Sequence, residues 1–185
     1  YGKPVYVDEY GSTVHTSNGA NGALWHAITL GELWKAGLSP IQFSVAEWPG
    51  MHAGYNSMGL MTDWHDGWQV KPAYRVYVNF FNHLADTNLV AIQLPRGIFG
   101  VAGIQPNAKT LALWLTNANF KKDGNLVIRI ENWPAESASV QVFDNLAGST
   151  PVQTFSIAAN SDGAVIFDYA ISPEQSFLFV LSPAK

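Results

Sequence analysis

Cysteine is absent from the 185 residues. Its absence excludes a disulfide framework, a thiolate nucleophile and a zinc–sulfur site. A cysteine-free chain fits an extracellular or periplasmic setting, and that is the location we expect. Charge is scarce as well: charged residues make up 13% of the chain and the net charge is −4. Phosphate contacts need clustered Lys and Arg, so we expect no nucleic-acid partner. No apolar run approaches the ~18 residues of a membrane-spanning helix, so no membrane partner is expected either. No signal-peptide pattern, internal repeat or low-complexity linker is visible. The first residue is Tyr1 rather than Met, from which we expect a chain processed or cut from something longer.

What the chain does hold is apolar and aromatic. Hydrophobic residues account for 48% and aromatics for 13%, enough for a sizeable core in one large or two small domains. The pattern changes along the chain. "VYVDEY" (residues 5–10) reads as a short strand, and a polar loop with Ser17, Asn18, Gly19, Asn21 and Gly22 follows. "ALWHAITLGELWKAG" reads as a helix, with Leu24, Ala27, Ile28, Gly31 and Trp34 at helical spacing and Gly37 at the C-terminal cap. "PIQFSVAEW" (residues 40–48) reads as a second strand, followed by a long aromatic loop to about Val70. "KPAYRVYVNFFNHLA" reads as a second helix. Pro72 suits its first turn, and Tyr74, Tyr77, Val78, Phe81 and Leu84 share one face.

From about Thr87 short runs recur every ten residues or so: "NLVAIQL", "TLALWLTN", "NLVIRIEN", "ASVQVFD", "VQTFSI", "AVIFDY" and "SFLFVL". Turn signals such as Lys122-Asp123-Gly124-Asn125 and Ser161-Asp162-Gly163 separate them. This spacing predicts an antiparallel β-sandwich. The fold class is therefore α/β in residues 1–85 and all-β in residues 86–185.

The chemistry centres on the two acids that end the first strand. Strict alternation puts Val5, Val7 and Glu9 on one face and Tyr6, Asp8 and Tyr10 on the other. Strand–helix units in series imply parallel strands, and in such folds reactive groups gather at the carboxyl ends. Glu9 stands at such an end. Two readings stay open at this point: a strand end meeting water, or a catalytic carboxylate. On the second strand Ile41, Phe43 and Val45 suit packing on helices, while Gln42, Ser44 and Ala46 face the other way toward Trp48. Trp48 suits stacking on a sugar ring, with core packing as the alternative.

The order of these features resembles the end of a clan A glycoside hydrolase. The resemblance rests on "KPVYVDEYGS", a helix, "PIQFSVAEW", a loop ending "GLMTDWHDGWQVKPAYRVY", and then a sandwich. In that clan a (β/α)8 barrel carries a nucleophilic Glu at the end of its seventh strand. An aromatic residue, usually Trp, closes the eighth, and the eighth helix often opens with a phrase like the Gly59, Leu60, Lys71, Pro72, Ala73 and Tyr74 of this chain. The trailing sandwich is most similar to glycoside hydrolase family 39 and its relatives, which include β-xylosidases. The resemblance implies the last two βα units of a TIM barrel followed by a β-sandwich. It implies Glu9 as the nucleophile of a retaining enzyme that cleaves O-glycosidic bonds in a plant-type or marine polysaccharide or oligosaccharide, without a cofactor. Trp48, His15, Tyr55, Trp64 and Trp68 are the expected substrate-binding residues, and carbohydrate the expected substrate.

The chain departs from that pattern in length and in one residue pair. A complete barrel takes ~250 residues, and no Asn-Glu pair, the clan's acid/base signature, occurs here. We therefore expect the acid/base on a missing upstream segment and the 185-residue chain to be inactive alone. Glu47 shares the face of Phe43 and Val45, which makes it a loop-anchoring carboxylate rather than the missing acid. "TDWHDGW" gathers Asp63, His65 and Asp66, but ligands bunched this tightly rarely form a cage, and we expect no metal. His52 is a further candidate for the cleft; His26 and His83 lie on helices and are read as structural or exposed. A quarter of a barrel would leave its strand edges and the apolar sides of both helices partly uncovered. The expected partner is a missing N-terminal barrel segment, from the same parent or a companion chain, or self-association. The competing reading is a non-catalytic carbohydrate-binding or structural module derived from such an enzyme.

Overall fold

The structure, a computed structural model, describes residues 5–10, 19–42, 59–62, 64, 67–105, 109–119 and 121–184. Its elements are mostly strand, with two helices. Strand β1 (Val5–Tyr10) runs into helix α1 (Ala20–Lys35), which returns to strand β2 (Leu38–Gln42). Helix α2 (Pro72–His83) precedes the remaining strands: β3 (Asn88–Val90), β4 (Ile98–Gln105), β5 (Thr110–Asn117), β6 (Gly124–Ile130), β7 (Ser137–Asp144), β8 (Gln153–Ala158), β9 (Val165–Ile171) and β10 (Ser176–Pro183).

β1 and β2 pair in parallel and form a two-stranded sheet, as a strand–helix–strand unit requires. The sheet begins at Leu38, two residues before the start read from the sequence; residues 43–48 of that expected strand lie outside the described residues. α1 ends where Gly37 takes φ +71, the left-handed conformation that closes many helices. Pro72 opens α2, where its missing N–H is not needed.

The later strands form a six-stranded antiparallel sheet, in the order β3-β4-β5-β10-β7-β8, and a two-stranded one, β6-β9. The two sheets face each other across a core of Leu111, Leu113 and Leu115 from β5, Val140 and Val142 from β7, Phe177, Phe179 and Leu181 from β10, and Ile128, Val165 and Phe167 from the smaller sheet. The opposite face of the six-stranded sheet is buried too. Val101, Ala112, Trp114, Phe143 and Leu178 pack there against Ala23, Ala27 and Leu30 of α1 and Ala73, Val76, Tyr77 and Phe80 of α2. Burial on both faces explains why Leu111, Ala112, Leu113, Trp114 and Leu115 of "TLALWLTN" are apolar in a row instead of alternating.

Three sequence expectations change here. The buried face of α2 is Ala73, Val76, Tyr77 and Phe80, offset from the expected stripe; Phe81 is 63% exposed and Tyr74 and Val78 are half-buried. Ala73 is 1% exposed and belongs to the core that α2 shares with α1 and the sheet, a placement that hydrophobicity alone does not select. The apolar sides of both helices pack in part on the chain's own sheet and on each other, with Phe81 left exposed. Strand β4, "IFGVAGIQ", was absent from the expected set because Gly100 and Gly103 weaken its signal. Both glycines answer to space. A Cβ at Gly100 would lie 2.5 Å from the Trp114 carbonyl oxygen, and one at Gly103 would collide with Thr87 Oγ1 and approach Trp34 Cη2 to 2.9 Å.

A buried polar ladder ties α2 to the sheet. Asn79 Nδ2 donates to Asn145 Oδ1 at 3.1 Å and to the Gly148 carbonyl at 3.1 Å. Asn145 Nδ2 donates to Ser176 Oγ at 2.9 Å, Ser176 and Thr116 share a hydroxyl bond at 2.8 Å, and Trp114 Nε1 donates to Thr116 Oγ1 at 3.3 Å. Asn79, Asn145, Thr116 and Ser176 are all buried. Most of their donors and acceptors satisfy one another, and Asn79 Oδ1 is the buried side-chain atom among the described residues left without a partner.

Candidate functional site

Glu9 lies in the last two residues of β1, at the carboxyl end of a parallel strand. The pairing with β2 is irregular at this point. Val7 pairs with Pro40 and Tyr10 with Gln42, so β1 passes through Asp8 and Glu9 where β2 passes through Ile41 alone. An extra residue of this kind breaks simple alternation, and bulges recur beside active sites, where they re-aim a side chain.

The segment that follows β2 leaves from the same end, because the strands are parallel. Its last part, described at residues 59–62, 64 and 67–71, is a hairpin that was read from sequence only as an aromatic loop. Met61 and Val70 form an antiparallel bridge. Thr62 N–H donates to the Gln69 carbonyl at 2.8 Å, Gln69 N–H donates to Thr62 Oγ1 at 2.7 Å, and Lys71 N–H donates to the Leu60 carbonyl at 2.9 Å. The turn is closed by Gly67 N–H on the Trp64 carbonyl at 3.3 Å, and Gln69 Nε2 donates to the Gly67 carbonyl at 3.2 Å. The hairpin base is buried through Gly59, Leu60 and Lys71, and Pro72 then starts α2. The "GL…KPAY" phrase thus has a physical meaning: it closes a hairpin onto a helix.

Two of the sequence-selected residues sit on this hairpin. Trp64 is 58% exposed and Trp68 is 53% exposed. Trp68 also holds φ 58, a left-handed conformation that is costly for a bulky side chain, next to Gly67 at φ 74. Thr62 and Gln69, which hold the arms together, were not singled out from the sequence. The Asp66-Gly67 dipeptide, a turn former, was the available signal. Trp48, His15 and Tyr55 lie outside the described residues, as do Glu47, His52, Asp63, His65 and Asp66. Among the described residues no group of three His, Cys, Asp or Glu could hold a metal ion.

The remaining histidines differ in their surroundings. His26 is buried on α1, its Nδ1 3.2 Å from the Tyr77 hydroxyl on α2, and burial lowers its pKa to about 4. His83 stacks tilted against Phe143 with ring centroids 4.9 Å apart, and burial lowers its pKa as well. Between α1 and the β4–β5 strands a crevice lined by Ile28, Gly31, Phe99 and Trp114 has room for about one water, too little for a sugar ring.

No protein-family model and no curated protein sequence matches the chain. Solved structures do. The chain is similar to a family 39 glycoside hydrolase (GH39) enzyme from Xanthomonas axonopodis pv. citri, with a TM-score of 0.70 at 15% identity over 98% of this chain and 45% of that one. It is similar to a family 39 glycoside hydrolase from the gut symbiont Bacteroides cellulosilyticus WH2, with a TM-score of 0.62 at 15% identity over 97% and 34%. It is also similar to the GH51 alpha-L-arabinofuranosidase of Thermotoga petrophila RKU-1, with a TM-score of 0.63 at 13% identity over 96% and 43%. The chain spans a third to a half of the length of these structures. At such identities the likeness is one of fold, and the fold it shares is that of glycoside hydrolases.

Proposed function

We propose that this chain is the C-terminal portion of a retaining glycoside hydrolase, with Glu9 as the nucleophile and the acid/base on an upstream segment. The observation that carries the reading is the β1–α1–β2 unit. Its strands are parallel, each is paired along one edge among the described residues, and the register breaks at Asp8 and Glu9. Parallel strands are normally paired on both sides, so the unit fits the last part of a TIM barrel completed by a further segment. In this reading residues 1–85 are barrel, residues 86–185 are the accessory sandwich, and the protein works outside the cytoplasm on a plant-type or marine glycan.

The chemistry follows from two carboxyls about 5–5.5 Å apart. The Glu9 carboxylate attacks the anomeric carbon while the acid/base protonates the departing glycosidic oxygen. A covalent glycosyl ester on Glu9 results. The same acid/base, now a carboxylate, takes a proton from water, and that water displaces Glu9 with a second inversion. Trp48, His15 and Tyr55, which follow the carboxyl ends of β1 and β2 in sequence, serve to line the cleft.

The test is to express the reading frame that encodes this chain together with all that lies upstream, and to assay it against a panel of aryl glycosides. Activity that falls by about a thousandfold or more in Glu9→Gln supports the reading. Unchanged activity in Glu9→Gln overturns it. Hydrolysis by the 185-residue chain alone, abolished by Glu9→Gln, would overturn the upstream acid/base. A second reading, a non-catalytic carbohydrate-binding module, is favoured by the exposure of Trp64 and Trp68. It gains ground if the longer protein binds glycans and hydrolyses none.

A further inference from the structure

We infer that Asn79 is the positioning residue of α2: its two donated hydrogen bonds choose which of two competing apolar faces the helix turns to the sheet. The helix carries both faces. Ala73, Val76, Tyr77 and Phe80 form the buried one. Tyr74, Tyr77, Val78 and Phe81 form the other, one residue further on, with Phe81 63% exposed and Tyr74 and Val78 half-buried. A screw shift of one residue, about 100° and 1.5 Å, exchanges the two. The exchange keeps the apolar character of the contact. Phe81 would take the place of Phe80, which meets Trp34 and Trp114 edge-on, and Tyr74, Tyr77 and Val78 would take those of Ala73, Val76 and Tyr77. Apolar burial is non-directional and does not choose between two such faces.

The polar ladder does choose. Asn79 is 0% exposed and donates through Nδ2 to Asn145 Oδ1 and to the Gly148 carbonyl, both at 3.1 Å. After the shift Phe80 would stand where Asn79 stands, with no donor for either oxygen, and a buried acceptor stripped of its donor is costly. The ladder runs on through Ser176 and Thr116 into β10 and β5, so the register of α2 is tied to the middle of the six-stranded sheet. Asn79 Oδ1 has no hydrogen-bond partner, so this side chain is not the choice that stability alone would make. A buried Asn that fixes register at a cost in stability is the best-attested use of such a group. The consequence reaches the candidate site. Lys71, at the N-terminal cap of α2, closes the hairpin base through its N–H on the Leu60 carbonyl, and a shifted helix would turn that base with it. Asn79 thus positions the hairpin from further along the helix, whatever the role of Glu9.

The experiment uses the absence of cysteine, which lets one introduced thiol report alone. Val76 is 0% exposed, so a Val76→Cys chain should react slowly with a thiol reagent; the shift would carry this position to the half-buried place of Arg75. Adding Asn79→Leu, which keeps the size and removes the donors, should speed the reaction tenfold or more without lowering the melting temperature. Adding Phe81→Lys as well makes the competing face polar at an exposed position and should restore the slow rate. Asn145→Ala, introduced into Val76→Cys, removes one acceptor from outside the helix and should speed the reaction by a smaller factor; it decides the matter if Asn79→Leu does not fold. A rate unchanged by Asn79→Leu, or by Asn145→Ala, would overturn the inference and leave apolar packing as what selects the face. Faster labelling with a lowered melting temperature that Phe81→Lys does not reverse would overturn it too, as the mark of a bond that only adds stability.

Discussion

The His26 ring on α1 and the Tyr77 hydroxyl on α2 meet at 3.2 Å in the interior, with the rings edge-on at a centroid distance of 5.6 Å. Trp25 stands edge-on to the same imidazole at 5.0 Å. The contact joins the two helices and keeps a titratable group away from water, since His26 is only 1% exposed. Burial disfavours the imidazolium, which is why the pKa falls to about 4.

Stability should therefore depend on pH in a defined window. The unfolded chain protonates His26 near its ordinary value of 6.5, and the folded chain near 4. Between those values the unfolded state binds more protons, so stability rises with pH, is complete above about 6.5 and is lost as pH falls toward 4. The contribution is at most about 3 kcal/mol. His83 shifts in the same direction and adds to it. Urea denaturation from pH 4 to 7.5 should show the slope, and His26→Gln should flatten it. A profile unchanged in that variant would count against the assignment.

The buried ladder gives a second expectation. Asn145 serves both Asn79 and Ser176, so Asn145→Ala removes one bond from each of two buried groups at once. A loss of about 2–3 kcal/mol is expected from unsatisfied buried partners. Ser176→Ala should cost a comparable amount, because its Oγ likewise holds two bonds, to Asn145 Nδ2 and Thr116 Oγ1. Chemical denaturation of both variants measures the losses, and a loss near zero in either would refute the account.

Strand β4 supplies a third. Gly103 faces Thr87 and Trp34 with no room for a methyl group. Gly103→Ala should destabilise by about 1–3 kcal/mol through overpacking. Gly148→Ala, where a Cβ would meet nothing within 4 Å, is the control and should change little. Equal melting temperatures for the two variants would show that the strand yields more easily than its packing suggests.

The edges of the β1–β2 sheet lead to a fourth. Each strand is paired on one side only among the described residues, and open parallel edges invite further strands. If an upstream segment completes this sheet, the 185-residue chain expressed alone should self-associate, and co-expression with that segment should suppress the association. Light scattering and native mass spectrometry measure both. A clean monomer of the chain alone, near its 20.2 kDa mass, would sink this expectation and favour an independently folded module.

Local order was legible in the residues themselves. Gly37 and Pro72 mark helix ends because their backbone freedoms and lacks are intrinsic, and "VYVDEY" is a strand in sequence and structure alike. The alternating runs of β6 and β9 announced strands because one-sided burial imposes a period of two. Tertiary contact decided the rest. The face of α2 that is buried follows from its packing with α1 and the sheet, a relation between elements that no window of sequence contains. β4 hid because its glycines are set by Thr87, Trp34 and Trp114, residues remote in the chain. Glu9 was visible as an acid ending a strand, but the break in its register exists only where β1 meets β2. Trp64 and Trp68 were visible as aromatics. That they stand exposed, on a hairpin held by Thr62 and Gln69, is decided by hydrogen bonds across the loop.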